Sequence, residues 1–374
     1  METVLVQQKP KRNRKKLILW LASVFFLLII VSIIAANLFL SRSLPKIEGE
    51  ITIATLQQPV QIIRDEKGVP HIFAKNEHDL YVAQGYAQAQ DRLFQMDLSR
   101  RQASGMLSEV IGEATLNNDK YFRTLGLRRA AEASYEQYSE EAKDVLHSFA
   151  EGVNTYIKEL EQSGRWPVEF TILGYKPEEW SVIDTLTIGK YMAYDLGGNW
   201  EDQAFRSYLL QTFPEEKAYD LFPTYPTNAP YIIGKEELDI ESSFATAVIP
   251  HEYNGSNNWV ISGEKTKSGK PLLSDDPHLG LATPSVWYQM HLKAPTVNVS
   301  GVIFAGIPGI ILGHNENIAW GVTNTGPDVQ DLYIEKRNPE NDSQFLYEEE
   351  WEQATILNER IKVKNEESID YTIT

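Results

Sequence analysis

The first strong pattern in the chain is an unbroken apolar run near its N-terminus. LILWLASVFFLLIIVSIIAANLFL, residues 17–40, contains no charged side chain. As a helix at roughly 1.5 Å per residue it would extend about 36 Å, enough to cross the hydrocarbon core of a bilayer. The pattern therefore predicts a transmembrane helix. A cleaved signal peptide is the alternative, because SIIAAN supplies small residues, but signal-peptide apolar regions are usually shorter, about 7–15 residues.

Behind this run the periodicity of apolar positions changes. IATLQQPVQIIRDEKGVPHIFA, residues 53–74, alternates apolar and polar positions on both sides of RDEKG. This pattern predicts a β-hairpin with Gly68 in its turn. From Asn76 the chain is rich in alanine and glutamine and has almost no helix breakers until Gly105, which predicts a long helix.

A second amphipathic helix is predicted for SEEAKDVLHSFAEGVNTYIKEL, residues 139–160. Its apolar positions recur at 3.6-residue spacing on one face: Ala142, Val145, Leu146, Phe149, Val153, Tyr156, Ile157 and Leu160. Further helical segments are expected at residues 181–195 and 201–212. Residues 76–220 are therefore predicted to be mostly helical.

The pattern changes again in the last third of the chain. Residues 222–244 combine prolines with acidic and serine residues, which predicts a surface linker. From Asn257 onward, short runs separated by turn signals predict strands: NNWVISG, PLLSD, SVWYQMHLKA, VNVSGVIFAG, ENIAWGVTN and DLYIEKR. A helical part followed by a strand-rich part indicates the α+β class.

Charge divides the chain into two unequal parts. Residues 1–40 carry six cations against Glu2, whereas the whole chain of 374 residues has a net charge of −17. The cations precede the apolar run, which predicts a cytoplasmic basic tail at 1–16, a single membrane anchor at 17–40 and an extracytoplasmic remainder. So acidic a remainder argues against nucleic acid as a partner. The absence of cysteine excludes disulfides, thiolate metal sites and a cysteine nucleophile.

One short motif suggests chemistry. In HEYNGSNNWVISG, residues 251–263, Gly255 and Ser256 stand directly before a predicted strand, and the chain has no G-x-S-x-G motif. If the Gly255–Ser256 bond were cut, Ser256 would gain an α-amine with a pKa of roughly 7.7–8, able to accept its hydroxyl proton. An N→O acyl shift followed by hydrolysis would make that cut, and glycine permits the close approach it needs. An ordinary turn is the alternative, because Gly-Ser is a common dipeptide.

Five segments, taken together, resemble the penicillin acylase (penicillin amidase) family of N-terminal-nucleophile hydrolases. They are IIRDEKGVPHIFA, AQGYAQAQDRLFQMDLSRRQASGMLSEVIG, NGSNNWVISG, DDPHLG and GHNENIAWGVTNTGPDVQDLY, and the resemblance runs from about Val60 to the last residue. It implies an αββα sandwich and an exported precursor that cuts itself. Residues 41–221 would form the helix-rich α chain, 222–255 a linker or spacer, and 256–374 the start of the β chain.

The resemblance also implies roles for individual residues. Ser256 matches the nucleophile, His278 a position near its amine, and Asn324 the residue whose backbone N–H is one oxyanion donor; in isolation, His278 and Asn324 are ordinary turn and loop residues. Five aliphatic residues match positions that line the acyl pocket: Met192, Leu196, Leu279, Leu312 and Val322. An aliphatic pocket favours a fatty-acyl chain over a phenylacetyl ring as the acyl group. The alternative is that these five are ordinary core residues.

A calcium ion is the cofactor that the family resemblance implies, and no organic cofactor is expected. Asp328 and Asp331 match two carboxylate ligands, with the Gln330 carbonyl between them. Oxygen ligands from a loop suit Ca²⁺. The third acid is either Glu201 or Asp202, because GGNWEDQAF does not align uniquely. By pattern alone these acids are solvated surface residues.

The resemblance implies an amide hydrolase that removes an acyl side chain from a small amide, such as a β-lactam antibiotic or an N-acyl homoserine lactone. Family β chains run several hundred residues past the nucleophile, whereas 119 residues run from Ser256 to Thr374. We therefore expect a truncated member that requires the missing C-terminal part of the β chain as a partner and is unstable and inactive alone. The alternative is a catalytically inactive, membrane-tethered binding protein of the same family.

Overall fold

The computed structural model describes residues 14–197, 200–220, 255–324 and 329–374. The predicted linker at 222–244 and most of the basic tail lie outside these ranges. The helices of the described residues are α1 Arg14–Arg42, α2 Glu77–Ser104, α3 Ser108–Ile111, α4 Leu116–Leu125, α5 Leu127–Tyr135, α6 Glu140–Ser163, α7 Val168–Leu173, α8 Val182–Gly197, α9 Trp200–Thr212 and α10 Glu215–Tyr219. Short 3₁₀ helices occupy Glu113–Thr115 and Gly263–Lys265.

Strands flank this helical part. They are β1 Gln61–Arg64, β2 Pro70–Phe73, β3 Gly255–Ile261, β4 Leu272–His278, β5 Trp287–Lys293, β6 Asn298–Phe304, β7 Leu312–His314, β8 Ala319–Trp320, β9 Arg337–Asn338, β10 Asn341–Tyr347, β11 Glu350–Gln353, β12 Leu357–Ile361 and β13 Ile369–Ile373. The mixed helix and sheet composition and its order along the chain confirm the α+β class.

Helix α1 contains the predicted apolar run. Its segment Lys16–Arg42 is long and apolar enough to cross a membrane, and the most hydrophobic part of it is 0% buried in the protein. A signal sequence near an N-terminus can also be long and apolar enough to meet this criterion, so α1 is compatible with either role.

Helix α2 begins and ends where the sequence predicts. Asn76 caps its N-terminus by accepting the backbone N–H of Asp79 at 2.7 Å, and Gly105 ends it in the left-handed conformation at φ 64°. The Asp79 carboxylate also accepts the N–H groups of Gln57 and Gln58 at 2.8 and 2.9 Å. The segment that follows α1 is therefore fastened to the first turn of α2.

Helices α2 and α6 cross in backbone contact. A Cβ on Gly152 would lie 1.9 Å from the Val82 carbonyl oxygen, and one on Gly85 would lie 2.1 Å from that of Phe149. Only glycine fits at this distance. The predicted apolar face of α6 lies at this crossing, and its residues from the middle onward are buried: Leu146, Phe149, Val153, Tyr156, Ile157 and Leu160.

The main sheet has six strands in the order β1-β2-β5-β6-β7-β8. The predicted hairpin is confirmed, with β1 antiparallel to β2 and Gly68 at φ 80°. Strand β2 then pairs in parallel with β5, so the helical first part of the chain supplies two strands to the sheet of the second part. Helix α2 covers one face of this sheet over Ile72, Met290 and Leu292, each 0% exposed.

Two predicted strands differ from the structure. DLYIEKR was predicted to be a strand, but only Arg337–Asn338 pairs, and ENIAWGVTN is reduced to Ala319–Trp320. The reason at DLYIEKR is a different partner, since the N–H of Leu332 donates to the Gln203 side-chain oxygen on α9 at 3.0 Å. A side chain of a helix thus replaces a neighbouring strand.

Two glutamines buried on α2 fix the loop between β6 and β7. Gln84 donates to the Gly309 carbonyl and accepts its N–H, both at 2.9 Å. One turn later, Gln88 donates to the Ile307 carbonyl at 3.0 Å and accepts the N–H of Gly306 at 2.9 Å. Each side-chain amide therefore pairs with loop backbone as a neighbouring strand would.

We predict that Gly152→Ala destabilises the protein by about 1–3 kcal/mol, because its methyl group must displace the backbone of α2. Gly189→Ala on α8 is the matched control, since a Cβ there meets nothing within 4 Å. The control should leave stability unchanged or raise it by up to about 1 kcal/mol through helix propensity. Urea unfolding of both variants tests this, and equal stability of the two would show that α2 and α6 are not in backbone contact.

Candidate active site

Ser256 lies near the start of a β-hairpin. Strand β3 pairs antiparallel with β4 over its whole length, placing Gly255 opposite His278 and Ser256 opposite Pro277. The hairpin turns through KTKSGK, where Gly269 adopts φ 71° and a Cβ on Gly263 would lie 2.5 Å from the Gly269 carbonyl oxygen. Short apolar runs joined by a glycine turn therefore hold the serine on a paired strand.

The Ser256 hydroxyl meets two consecutive residues from the segment after β8. The backbone N–H of Asn324 donates to Ser256 Oγ at 3.3 Å, and Thr323 Oγ1 lies 2.7 Å from the same oxygen. Thr323 Oγ1 also donates to the Ser256 carbonyl oxygen at 3.1 Å. The structure thus brings Ser256 to the N–H group that the family resemblance named, in a chain still continuous from Gly255 to Ser256.

A close backbone approach holds the segment after β8 against the hairpin. A Cβ on Gly321 would lie 2.6 Å from Asn258 Nδ2 and 2.7 Å from the side chain of Asp275. Asn258 and Asp275 are themselves joined across β3 and β4 by a hydrogen bond of 2.8 Å. Glycine at position 321 has no side chain and therefore permits this close approach. The approach brings residues 323 and 324 into contact with Ser256.

His278 lies beside the bond that the sequence analysis expects to be cut. A Cβ built on Gly255 would be 3.9 Å from His278 Nδ1. The other ring nitrogen, Nε2, lies 2.8 Å from Asp276 Oδ2 and 3.4 Å from Asn257 Nδ2. The half-exposed imidazole is therefore oriented by a carboxylate and faces the Gly255 backbone.

The side chain of Asn324 connects this site to α8. Its amide donates to the carbonyl oxygen of Leu196, in the last turn of that helix. The first turn of α8 is anchored on α2 and α5, because Asp184 accepts from Arg100 of α2 at 3.0 Å and from Arg128 of α5 at 2.8 Å. Burial alone would raise the pKa of Asp184, but the charges of Arg100 and Arg128 and hydrogen bonds from Arg128 and the Ser181 N–H hold it below its ordinary value.

A cavity of about 590 Å³ opens between β4 and the main sheet. Leu312 lies on its wall, beside Trp287, Val302 and Trp320, and Asp275 and Asp276 line the same space. The other four predicted pocket residues lie outside this lining. Met192 and Leu196 are on α8, Leu279 follows β4, and Val322 is 55% exposed beside Thr323. A single pocket formed by all five remains a prediction.

The expected calcium ligands are only partly described. Asp328 lies outside the described residues, as do the side chains of Glu201 and Asp202. The Gln330 carbonyl accepts a hydrogen bond from Gln203 on α9, so the loop with Asp331 is tied to the helix that carries both candidate acids. Within the described ranges, no three His, Asp or Glu side chains converge on a metal position. The donors are oxygens on two adjoining elements, which fits Ca²⁺ in kind.

Sequence reasoning missed Thr323. It stands in WGVTN, which the pattern predicts to be a strand, and a threonine is an ordinary strand residue. Its position directly before Asn324 was the available signal, because consecutive residues of a segment that passes over Ser256 lie within reach of the same hydroxyl.

Comparison with known proteins gives consistent matches. Residues 59–374 match the profile of a family described as penicillin amidase. The acyl-homoserine lactone acylase QuiP of Pseudomonas aeruginosa is 32% identical over 343 residues, covering 87% of this chain and 40% of that protein. The penicillin acylase 2 proenzyme of Pseudomonas sp. strain SE83 is 31% identical over 318 residues, covering 79% of this chain and 40% of that protein.

A solved structure, the thermostable penicillin G acylase from Alcaligenes faecalis in tetragonal form, is 29% identical, with a TM-score of 0.41 over 49% of this chain and 100% of that chain. The chain spans about two fifths of the length of the curated relatives named above. Because the family profile covers residues 59–374, the chain belongs to the penicillin amidase family.

Proposed function

We propose that the complete protein is an amide hydrolase that carries the acyl group of its substrate on Ser256. The observation that supports this most directly is the Asn324 N–H, which points at Ser256 Oγ from 3.3 Å. When Oγ attacks a carbonyl carbon, the oxyanion forms next to Oγ, so a backbone donor beside the nucleophile lies near the position where an oxyanion needs stabilising. The names of the acylase relatives support the same class of reaction.

The first step of this proposal is cleavage of the precursor by itself. Ser256 Oγ attacks the Gly255 carbonyl carbon, the Gly255–Ser256 C–N bond breaks, and the hydroxyl proton ends on the released α-amine. Water then hydrolyses the resulting ester, leaving a carboxylate on Gly255 and a free hydroxyl on Ser256. The imidazole of His278, across the hairpin from Gly255, is the group we propose to assist the transfer of the proton, directly or through one water.

The second step repeats this chemistry on a substrate. The new α-amine accepts the Ser256 hydroxyl proton while Oγ attacks the substrate carbonyl. The Asn324 N–H donates to the oxyanion, and the α-amine passes the proton to the amine of the substrate, which leaves. Water then hydrolyses the ester on Ser256 and releases the acyl group. A second donor from the complete protein completes the oxyanion site in this proposal. The fold proposed for that protein is the αββα sandwich of N-terminal-nucleophile hydrolases.

We predict that Ser256→Ala leaves the complete protein as one uncut polypeptide. Wild-type protein should give two chains, the second beginning with Ser256, whereas the substitution removes the hydroxyl that attacks Gly255 in this proposal. Ser274→Ala is the matched control in the same hairpin and should be cut normally. Intact-mass measurement reads the result, and a wild-type protein that stays in one piece would refute self-cleavage.

The substrate we propose is an amide with an aliphatic acyl chain, such as an N-acyl homoserine lactone, in preference to a phenylacetyl amide. The aliphatic character of the five predicted pocket residues supports this choice. A relative named acyl-homoserine lactone acylase points in the same direction. A β-lactam with an aliphatic side chain carries the same scissile amide and belongs to the same class.

We predict that the cut, complete enzyme hydrolyses decanoyl homoserine lactone with a kcat/KM at least about ten-fold above that for a phenylacetyl amide. Ten-fold corresponds to about 1.4 kcal/mol of transition-state stabilisation, within what a few methylenes contribute in an apolar pocket. Amine release from a panel of both substrate types measures the ratio. A clear preference for the phenylacetyl amide would contradict the proposed acyl specificity.

We also propose that one Ca²⁺ binds between α9 and the loop at 328–331. Asp331, the Gln330 carbonyl, Asp328 and one of Glu201 or Asp202 would hold it, and its role there is structural. Gln203 donates to the Gln330 carbonyl and accepts the N–H of Leu332, and these bonds support the placement because they join the two elements that supply the ligands.

We predict that Ca²⁺ at about 100 times its dissociation constant raises the melting temperature of a chain of this length by about 3 °C, since such binding contributes about 2.7 kcal/mol. Asp331→Asn should abolish the shift, whereas Asp342→Asn, an exposed acid outside the site, should keep it. Thermal melts with EGTA and with Ca²⁺ provide the measurement. An equal shift in both variants would place the ion elsewhere.

The location we propose is a cell membrane, with α1 as an uncleaved anchor and the catalytic part outside the cytoplasm. The length and composition of Lys16–Arg42 and the basic residues before it support this.

A further inference from the structure

We infer that Thr323 is the residue that positions the Ser256 hydroxyl. This inference rests on the proposed function and extends it to a residue that the family resemblance did not name. Thr323 Oγ1 lies 2.7 Å from Ser256 Oγ and donates to the Ser256 carbonyl oxygen at 3.1 Å. One hydroxyl therefore contacts both the backbone and the side chain of the nucleophile.

The two contacts together fix where the protons point. A threonine hydroxyl has one proton to donate and lone pairs with which to accept. The Ser256 carbonyl oxygen can only accept, so the Thr323 hydroxyl donates its proton to it. The 2.7 Å contact between the two hydroxyl oxygens is therefore a hydrogen bond donated by Ser256 Oγ to Thr323 Oγ1. The Asn324 N–H donates to a lone pair of the same Oγ. Both contacts are satisfied at once only in this arrangement.

This arrangement selects one rotamer for Ser256. A free serine side chain populates three staggered positions, and only some of them bring Oγ towards a given carbonyl carbon. Thr323 and Asn324 are consecutive, so one segment holds the hydroxyl by its proton and by a lone pair. A β-branched residue suits this task, because branching at Cβ restricts χ1 and keeps its own hydroxyl in place.

Thr323 acts by orientation and not as a base. The threonine hydroxyl has no accessible deprotonated form near neutral pH, so it cannot keep the Ser256 proton. That proton goes to the nitrogen released in the cut, and in the mature site to the α-amine. Thr323 orients Oγ before the reaction; the Ser256 hydroxyl then turns its proton from Thr323 to that nitrogen, and Thr323 accepts the hydrogen bond of the hydroxyl again at the end of each cycle.

Two substitutions separate this role from simple packing. Thr323→Val keeps the shape of the side chain and removes the hydroxyl, whereas Thr323→Ser keeps the hydroxyl and removes the methyl group. We expect Thr323→Val to slow self-cleavage of the complete protein by on the order of ten-fold, since hydrogen bonds of this kind contribute about that factor. Thr323→Ser should stay within about three-fold of wild type.

The measurement is the time course of chain cleavage after synthesis, followed by intact mass. Thr124→Val on α4 is the matched control, because it removes a hydroxyl bonded to Lys120 and Tyr371 far from Ser256, and it should be cut at the wild-type rate. On material cut to completion, Thr323→Val should lower kcat for decanoyl homoserine lactone and leave KM within about two-fold. Thr323 touches the nucleophile, and the expected loss therefore lies in the chemical step.

Several results would overturn the inference while leaving the proposed function intact. Normal cleavage and kcat in Thr323→Val would show that the hydroxyl does nothing. Loss of both in Thr323→Ser, with Thr323→Val unaffected, would assign the residue to packing. If wild-type protein is never cut, the proposed function fails and this inference fails with it. Melting temperatures of all variants identify any that lose activity by unfolding.

Discussion

The structure depends on two glutamines that lie inside it. Gln84 and Gln88 are 0% exposed, one turn apart on α2, and each pairs with backbone groups in the loop between β6 and β7. A buried amide without partners costs about 1–3 kcal/mol, so the helix and the loop must stay in register. The α2–α6 crossing, closed by Gly85 and Gly152, fixes the helix that carries both glutamines.

The loop between β6 and β7 is connected to the candidate site through β8 and the segment that follows it. The Trp320 indole N–H donates to the Ile311 carbonyl at 2.8 Å, which ties β8 to the loop that the glutamines hold. Gly321 then approaches the β3–β4 hairpin, and Thr323 and Asn324 meet Ser256. The segment that follows the last strand of the main sheet therefore supplies the two groups that contact the Ser256 hydroxyl. The first part of the chain, through α2, therefore helps to position the candidate site residues of the second part.

Much of this could be predicted from the sequence, because local patterns determine it. The bounds of α2 follow from Asn76 and Gly105, and the β1–β2 hairpin follows from alternation around Gly68. The parallel pairing of β2 with β5 could not be predicted, since it joins residues about 220 positions apart and no local pattern encodes it. Thr323 was missed for the same reason, because a strand-like threonine becomes notable only when folding brings Ser256 beside it. The strand predicted at DLYIEKR does not form there, because the backbone N–H of Leu332 donates to the Gln203 side chain on α9 and not to a neighbouring strand.

The central claim is that Ser256 becomes a chain terminus and the covalent nucleophile. The most direct measurement is to react the complete enzyme with phenylmethylsulfonyl fluoride and locate the adduct by peptide mass spectrometry. We expect one sulfonyl group on the Ser256 hydroxyl, in a peptide whose α-amino group is free. An adduct on another residue, or an unmodified Ser256 still joined to Gly255 by an amide bond, would contradict the account.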